Sequence, residues 1–248
     1  MLKIFLNHLL LFSCLSAVCF GQKPQSSDLF NQQVDAVLNR IQPPTFPKKE
    51  FRVKLRQDQP FQKAVNQAIE ECHKTGGGKV VVPKGEYVCN GPIKMRSNVN
   101  LYLSDGAVIR FGTNPADYLP AVKVRWEGTV CYNYSPLIYA NGQKNLAITG
   151  KGTFDGQADK FWFAWKKQPN GEDQEKAKTI LRNMGETGVP ETERIFGEGY
   201  KLRPTLLEFY DCEGILLEGF TAQQSPFWTI HPVFSKNITI RNLTIHHG

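Results

Sequence analysis

The sequence predicts an all-β solenoid, a parallel β-helix with an α-helix capping its N-terminal end, and three observations carry that prediction. Residues 206–228 are followed by a stretch of similar plan, 229–248, in which Ile215 and Ile238 hold equivalent places 23 residues apart. A unit that short cannot bury its own apolar face and must lie against the next. Within it Ile215, Leu217, Ile238, Ile240, Leu243 and Ile245 fall into intervals of two and three, the spacing of short strands rather than helices. Asp211, Gly214, Gly219, Asn237 and Asn242 punctuate the joints, so strand, turn and strand recur within each unit.

Taken in order, residues 1–21 read as a signal peptide. Lys3 supplies a positive start, Ile4 to Phe12 is mostly apolar, and Ser16 and Ala17 precede a cut near Gly21. That core is shorter than the ~20 residues a membrane-spanning helix needs, so no membrane span is expected. Cys14 offers an alternative lipid attachment site. Residues 22–57 are polar and Pro-rich, with Pro43, Pro44 and Pro47 close together, and read as an extended lead-in. A single β-helix domain then runs over 58–248. Phe61, Ala64, Val65, Ala68, Ile69 and Cys72 recur at three and four, marking an amphipathic helix that Gly76, Gly77 and Gly78 end. Such a helix covers the open edge of the first coil, which would otherwise recruit other chains.

Strands follow at Lys79 to Val82, Val99 to Leu103, Ala107 to Phe111, Leu137 to Ala140 and Leu146 to Thr149. Insertions interrupt the solenoid at 112–136, which lacks strand alternation, and at 157–204. The second begins with the aromatic cluster Phe161, Trp162, Phe163 and Trp165, read as a plug more readily than as a sugar platform. In it Asn170 caps a short helix with Glu172, Asp173 and Glu175 early, Lys176, Lys178 and Arg182 late, and Gly185 at its end.

Thirty Lys and Arg against 23 Asp and Glu leave +7, a surplus that favours a polyanionic partner. The basic residues are scattered and form no nucleic-acid-binding signature, so no nucleic acid is expected. For an exported protein, periplasmic or extracellular, an acidic polysaccharide fits better. Cys72, Cys89, Cys131 and Cys212 stand in no CxxC or Cys/His spacing, so no metal site is expected; they form disulfides or fill the coil interior.

Several blocks resemble one family. TGGGKVVVPKGEY after the helix, NVNLYLSDGAVIRF, RWEG at 125–128, SPLIYA at 135–140, NLAITGKGTFDGQ at 145–157, RP at 203–204 and SPFWTIHPVFSKNITIRNLTI at 225–245 are similar to glycoside hydrolase family 28, the polygalacturonase family. The bacterial exo-acting and rhamnogalacturonan-related branches are nearest. The resemblance implies a right-handed, pectin-lyase-like parallel β-helix that hydrolyses α-galacturonide linkages of pectin, polygalacturonate or rhamnogalacturonan. It implies inversion at the anomeric carbon, no cofactor, and a monomer at full length. An inverting pair holds its two carboxyl groups roughly 6.5–9.5 Å apart. The family draws them from Asn-Thr-Asp or Asn-Asn-Asp and Asp-Asp blocks, which this sequence lacks. The expectation is an N-terminal portion with no catalytic residue of its own. A lyase or a non-catalytic carbohydrate-binding β-helix are the alternatives.

Other acidic residues have duller roles: Asp155 and Asp211 belong to turns, and Glu191 and Glu193 to a solvated insertion. The candidate substrate-binding residues are Trp228 and His231, which follow the Ser225-Pro226 turn. An indole offers a flat apolar face to a sugar ring, and an imidazole hydrogen-bonds a hydroxyl or uronate oxygen. Packing within the coil is the competing role for both.

Overall fold

The computed structural model describes residues 26–167 and 172–246; the expected signal peptide, Asn170 and His247 lie outside them. Among the described residues, 26–40 belong to a unit of their own. In it Ser26–Leu38 is a helix, α1, with Leu29, Phe30, Val34, Val37 and Leu38 exposed. The expected extended lead-in is thus helical over those residues. Phe30, Val34 and Val37 stand four and three apart, and no proline lies between Ser26 and Leu38, so nothing interrupts the helical turn.

From Ile41 onward the chain winds coil upon coil. Strand β1 (Glu50–Arg52) precedes the capping helix α2 (Phe61–Lys74), whose six predicted apolar residues are all buried. The first coil is β2 (Gly78–Val82), β3 (Gly85–Cys89) and β4 (Ile93–Lys94). The second is β5 (Val99–Leu103), β6 (Ala107–Phe111), an inserted hairpin of β7 (Val122–Trp126) and β8 (Thr129–Asn133), and β9 (Ile138–Asn141). In the third, β10 (Lys144–Gly150) and β11 (Thr153–Asp155) lead through α3 (Ala164–Lys167), α4 (Glu172–Glu186) and β12 (Ile195–Phe196) to β13 (Leu207–Tyr210). The fourth is β14 (Glu213–Glu218), β15 (Thr221–Gln223) and β16 (Ile230–Val233), and β17 (Lys236–Arg241) and β18 (Thr244–His246) open the fifth.

Equivalent strands stack in parallel into three sheets. Sheet A is β1-β2-β5-β10-β14-β17, sheet B is β3-β6-β11-β15-β18, and sheet C is β4-β9-β13-β16. Register follows the repeat: Val99, Leu146, Ile215 and Ile238 are successive partners. Columns such as Leu101, Ile148 and Leu217, or Ile138 and Leu207, fill the interior at 1% exposure or less.

The turns have an equally regular cause. Gly77, Asn98, Asn145, Gly214 and Asn237 precede equivalent positions of sheet A, and all five have φ between 57° and 98°. Glycine takes this left-handed conformation freely and Asn tolerates it better than most residues. The Asn ladder also bonds to itself, Asn145 Nδ2 donating to Asn98 Oδ1 at 3.1 Å.

At the N-terminal end Asn66 of α2 donates to the Pro92 carbonyl and accepts from the Lys94 amide, covering backbone that the first coil leaves open. Cys72, Cys89, Cys131 and Cys212 are buried and free, none in a disulfide.

Both insertions depart from the sequence reading. Residues 123–126 do alternate, with Val124 and Trp126 buried, and the two strands of 122–133 pair antiparallel through a two-residue turn, Glu127-Gly128, with φ of 39° and 93°. Positive φ at both positions is the type I′ pattern, easily missed because Glu is an unusual first residue for it. Helix α4 runs through Gly185, the expected end, to Glu186, and Gly188 at φ 73° turns the chain away. The aromatic cluster is a plug: Trp162 is sealed and Trp165 nearly so, edge to face with one another and with Phe161.

Candidate functional site

Both insertions leave the coil between sheet B and sheet C, so they fold onto the outer face of sheet C. There they form a second core of Val124, Trp126, Cys131, Ala177, Leu181, Phe196 and Leu202 against Tyr139, Tyr210 and Val233 of the sheet. The sheet's period of two sets what lies beneath. In β13, Leu207 and Phe209 point into the coil while Glu208 and Tyr210 point outward. Tyr139, Glu208 and His231 are direct neighbours across β9, β13 and β16 and form one outward row.

Glu208 is 1% exposed, which for a carboxylate demands partners. It has three. Oε1 accepts from the Arg125 amide of the hairpin at 3.0 Å, and Oε2 accepts from the Thr205 hydroxyl at 3.3 Å and lies 3.1 Å from His231 Nδ1. A carboxylate facing Nδ1 fixes the proton there and leaves Nε2 for a ligand.

His231 is half-buried and meets Trp228 edge to face, ring centres 4.3 Å apart. Trp228 is 40% exposed, so its indole presents surface to solvent. Its neighbour Phe227 stacks on it and also on Trp126, with centroid separations of 5.1 and 4.8 Å and planes within 11° and 9°. The buried Arg203 holds this stack from a further side. Its guanidinium lies 5.2 Å from the Phe227 ring, donates to the Pro226 carbonyl and to Gln174 Oε1, both at 2.6 Å, and its own carbonyl accepts from the Trp126 indole. Burial lowers the pKa of that guanidinium. Ser225, fully buried, closes the turn by donating to the Phe227 carbonyl.

The structure therefore brings Trp228 and His231 together on one surface and adds Glu208, Arg203 and Trp126 beneath them. Sequence reasoning passed over these three, although RWEG and RP were among the blocks carrying the resemblance. Their function depends on chain segments 77 to 83 residues apart, which no local pattern reveals.

Two acidic groups of the insertions are engaged in ion pairs. Glu127 pairs with Lys178 at 3.0 Å and Glu191 with Lys123 at 2.7 Å. Asp155 lies on sheet B, where it accepts from the Gln157 amide and the Gln223 side chain. Asp211 occupies a left-handed corner at φ 50°. Among the described residues no group of three or more His, Cys, Asp or Glu is arranged to hold a metal.

Successive parallel strands joined by crossovers and stacked into three sheets define a right-handed parallel β-helix of the polygalacturonase type. No family model matches the chain. Its relatives are polygalacturonases of glycoside hydrolase family 28, as the sequence blocks implied. It is 38% identical to the hyperthermoactive exopolygalacturonase of Thermotoga maritima, with a TM-score of 0.80 over 88% of this chain and 51% of that one. It is 27% identical over 193 residues to a probable polygalacturonase of Vitis vinifera, covering 74% of this chain and 33% of the relative. The family 28 exopolygalacturonase of Yersinia enterocolitica shares the fold, with 22% identity and a TM-score of 0.58 over 81% of this chain and 39% of that one. The chain thus spans about half the length of the first relative and a third of the second.

Proposed function

We propose that the protein hydrolyses α-galacturonide linkages of pectic polysaccharide by an inverting mechanism, and that Trp228 and His231 bind the sugar chain beside the point of cleavage. The observation that carries this reading is the pair itself, an exposed indole next to a half-buried imidazole whose orientation is set by a sealed carboxylate. Such a pair suits a ring with an apolar face and a hydroxyl rim. The likeness to exopolygalacturonases supports the substrate class.

Catalysis needs two more carboxyl groups, one protonated and one ionised. Glu208, Glu127 and Glu191 are held by the partners described above, so we assign the acid and base to sequence outside these 248 residues. The hairpin and α4 cover sheet C over the second and third coils. A substrate laid along that sheet meets a wall there, which favours attack from a chain end. We place the protein in the periplasm or beyond, on the leader expected at residues 1–21 and the size of the proposed substrate; none of the described helices is long and apolar enough to cross a membrane.

Reducing ends released from polygalacturonate decide the matter. The full-length gene product is expected to release them without ultraviolet absorbance, and the 248-residue chain to release none. An absorbing, unsaturated product lost on chelation would replace hydrolysis with a lyase reaction. Binding without cleavage by the full-length product would make this a carbohydrate-binding β-helix.

A further inference from the structure

A second groove, of about 1310 Å³, lies on the outer face of sheet A, a different face of the coil from that carrying Trp228. It exceeds the 300–1,000 Å³ usual for a small-molecule pocket and suits an elongated ligand. Its floor is made by outward residues of β2, β5, β10 and β14, and its wall by residues 44–50. Four strands at the normal spacing make it about 14 Å long along the coil axis.

Its charges are unbalanced. Two carboxylates line it, and both are already matched: Glu50 by Lys79 at 2.8 Å, and Glu218 by Arg241 at 2.8 and 3.2 Å. Lys48 and Lys151 also line it, with no acidic partner among the described residues. On the floor Tyr102 is half-buried beneath the Lys79 ammonium, 5.3 Å from its ring centre. Beside it Asn100 Oδ1 accepts from the Thr149 hydroxyl at 2.9 Å, which turns the Asn100 carboxamide so that its NH2 group remains as a donor.

We propose that this groove is a second polysaccharide site, binding a stretch of uronate-bearing chain apart from the place of cleavage. Tyr102 supplies the apolar platform, the Asn100 amide and Tyr102 hydroxyl meet sugar hydroxyls, and Lys48 and Lys151 face the carboxylates. The choice of galacturonate among acidic sugars rests on the pectin-directed reading above; the groove does not.

The test is calorimetric binding to the full chain in a Trp228→Ala background, so that sheet C contributes little. Polygalacturonate is expected to bind, and to bind about tenfold more weakly after Tyr102→Ala. The solvent-facing double variant Lys48→Glu/Lys151→Glu is expected to weaken it at least as much and to reduce the salt dependence. Fully methyl-esterified pectin and poly-glutamate should bind more weakly, since each lacks one half of the recognition. Unchanged affinity in both variants, or equal binding of poly-glutamate, overturns the proposal. So does a dimer that the double variant dissociates, because a second copy would then occupy the groove. Binding of alginate instead of polygalacturonate, lost in the same variants, keeps the groove and overturns the pectin-directed reading.

Discussion

Glu208 Oε2 and His231 Nδ1 lie 3.1 Å apart across two neighbouring strands of sheet C, one side chain sealed from solvent and the other opening onto it. The register that stacks Leu207 on Ile230 inside the coil also stacks these two outside it. A repeat that exists to build a core therefore also positions a surface imidazole.

Glu208→Gln keeps the shape of the side chain but places an NH2 group where an oxygen accepted, against either the Arg125 amide or His231. Either that NH2 group faces the Arg125 amide, donor against donor, or His231 must move its proton to Nε2 and accept at Nδ1. The expected loss is about 1–3 kcal/mol in urea unfolding, with Glu208→Ala at the upper end. Binding of oligogalacturonate should weaken beyond any change in fold, because no carboxylate then fixes the proton on Nδ1 and the ring with it. His231 ring-nitrogen NMR shifts in the folded variant check this directly, and an unchanged tautomer would contradict it.

The left-handed corners yield a second expectation. A methyl group added at Gly214 would touch nothing nearer than 3.7 Å, so the cost of Gly214→Ala is conformational, about 1–2 kcal/mol. Asn237→Ala should cost a similar amount and Asn237→Gly close to nothing, although the second removes more atoms. Gly150→Ala should cost far more, since its Cβ would run into the Leu103 carbonyl oxygen. Thermal melts of the four variants establish the order.

These corners show why so much of the fold was legible. Gly and Asn at the joints, and Ile215 and Ile238 in step, are local signals whose cause is local: a φ that few residues adopt and a face that one coil cannot bury. The capping helix was legible for the same reason, since Phe61 to Cys72 form one stripe. The site was readable only at its surface. Trp228 and His231 follow a turn visible in the sequence, whereas Glu208 reads as one more outward acidic residue until the hairpin of the preceding coil folds over it. Trp126 and Arg203 likewise gain their roles from contacts that two insertions create.

Stability should fall with alkali. Burial pushes the Cys72 and Cys212 thiols up to about 11 and the Cys131 thiol up to about 12, and raises Cys89 further. In the unfolded chain a thiol ionises near pH ~8.5. The folded state therefore holds protons that the unfolded state releases. Stability is complete below that pH and declines as the pH climbs toward 11 or 12, by up to about 1.4 kcal/mol per pH unit for each thiol. Melting temperatures at pH 8 and pH 10 measure it. A thiol reagent at pH 8 should modify none of these four residues until the chain unfolds.

Arg203 gives the sharpest separation of charge from geometry. Its guanidinium donates in two directions, to Gln174 on α4 and to the Pro226 carbonyl in the turn, while it lies over the Phe227 ring. Lysine keeps the positive charge but is a point donor without a flat fork, and it cannot satisfy both acceptors while stacking. Arg203→Lys should therefore leave a buried oxygen unpaired and loosen the Trp126–Phe227–Trp228 stack, at about 1–3 kcal/mol. Arg203→Met removes the charge together with the donors and leaves both acceptors unpaired, so it should be the worse of the two if geometry governs. Tryptophan emission reports the outcome: loosening the turn exposes Trp228 and shifts the spectrum to longer wavelength before global unfolding begins. A lysine variant with native emission and native stability would mean that the charge alone holds the stack.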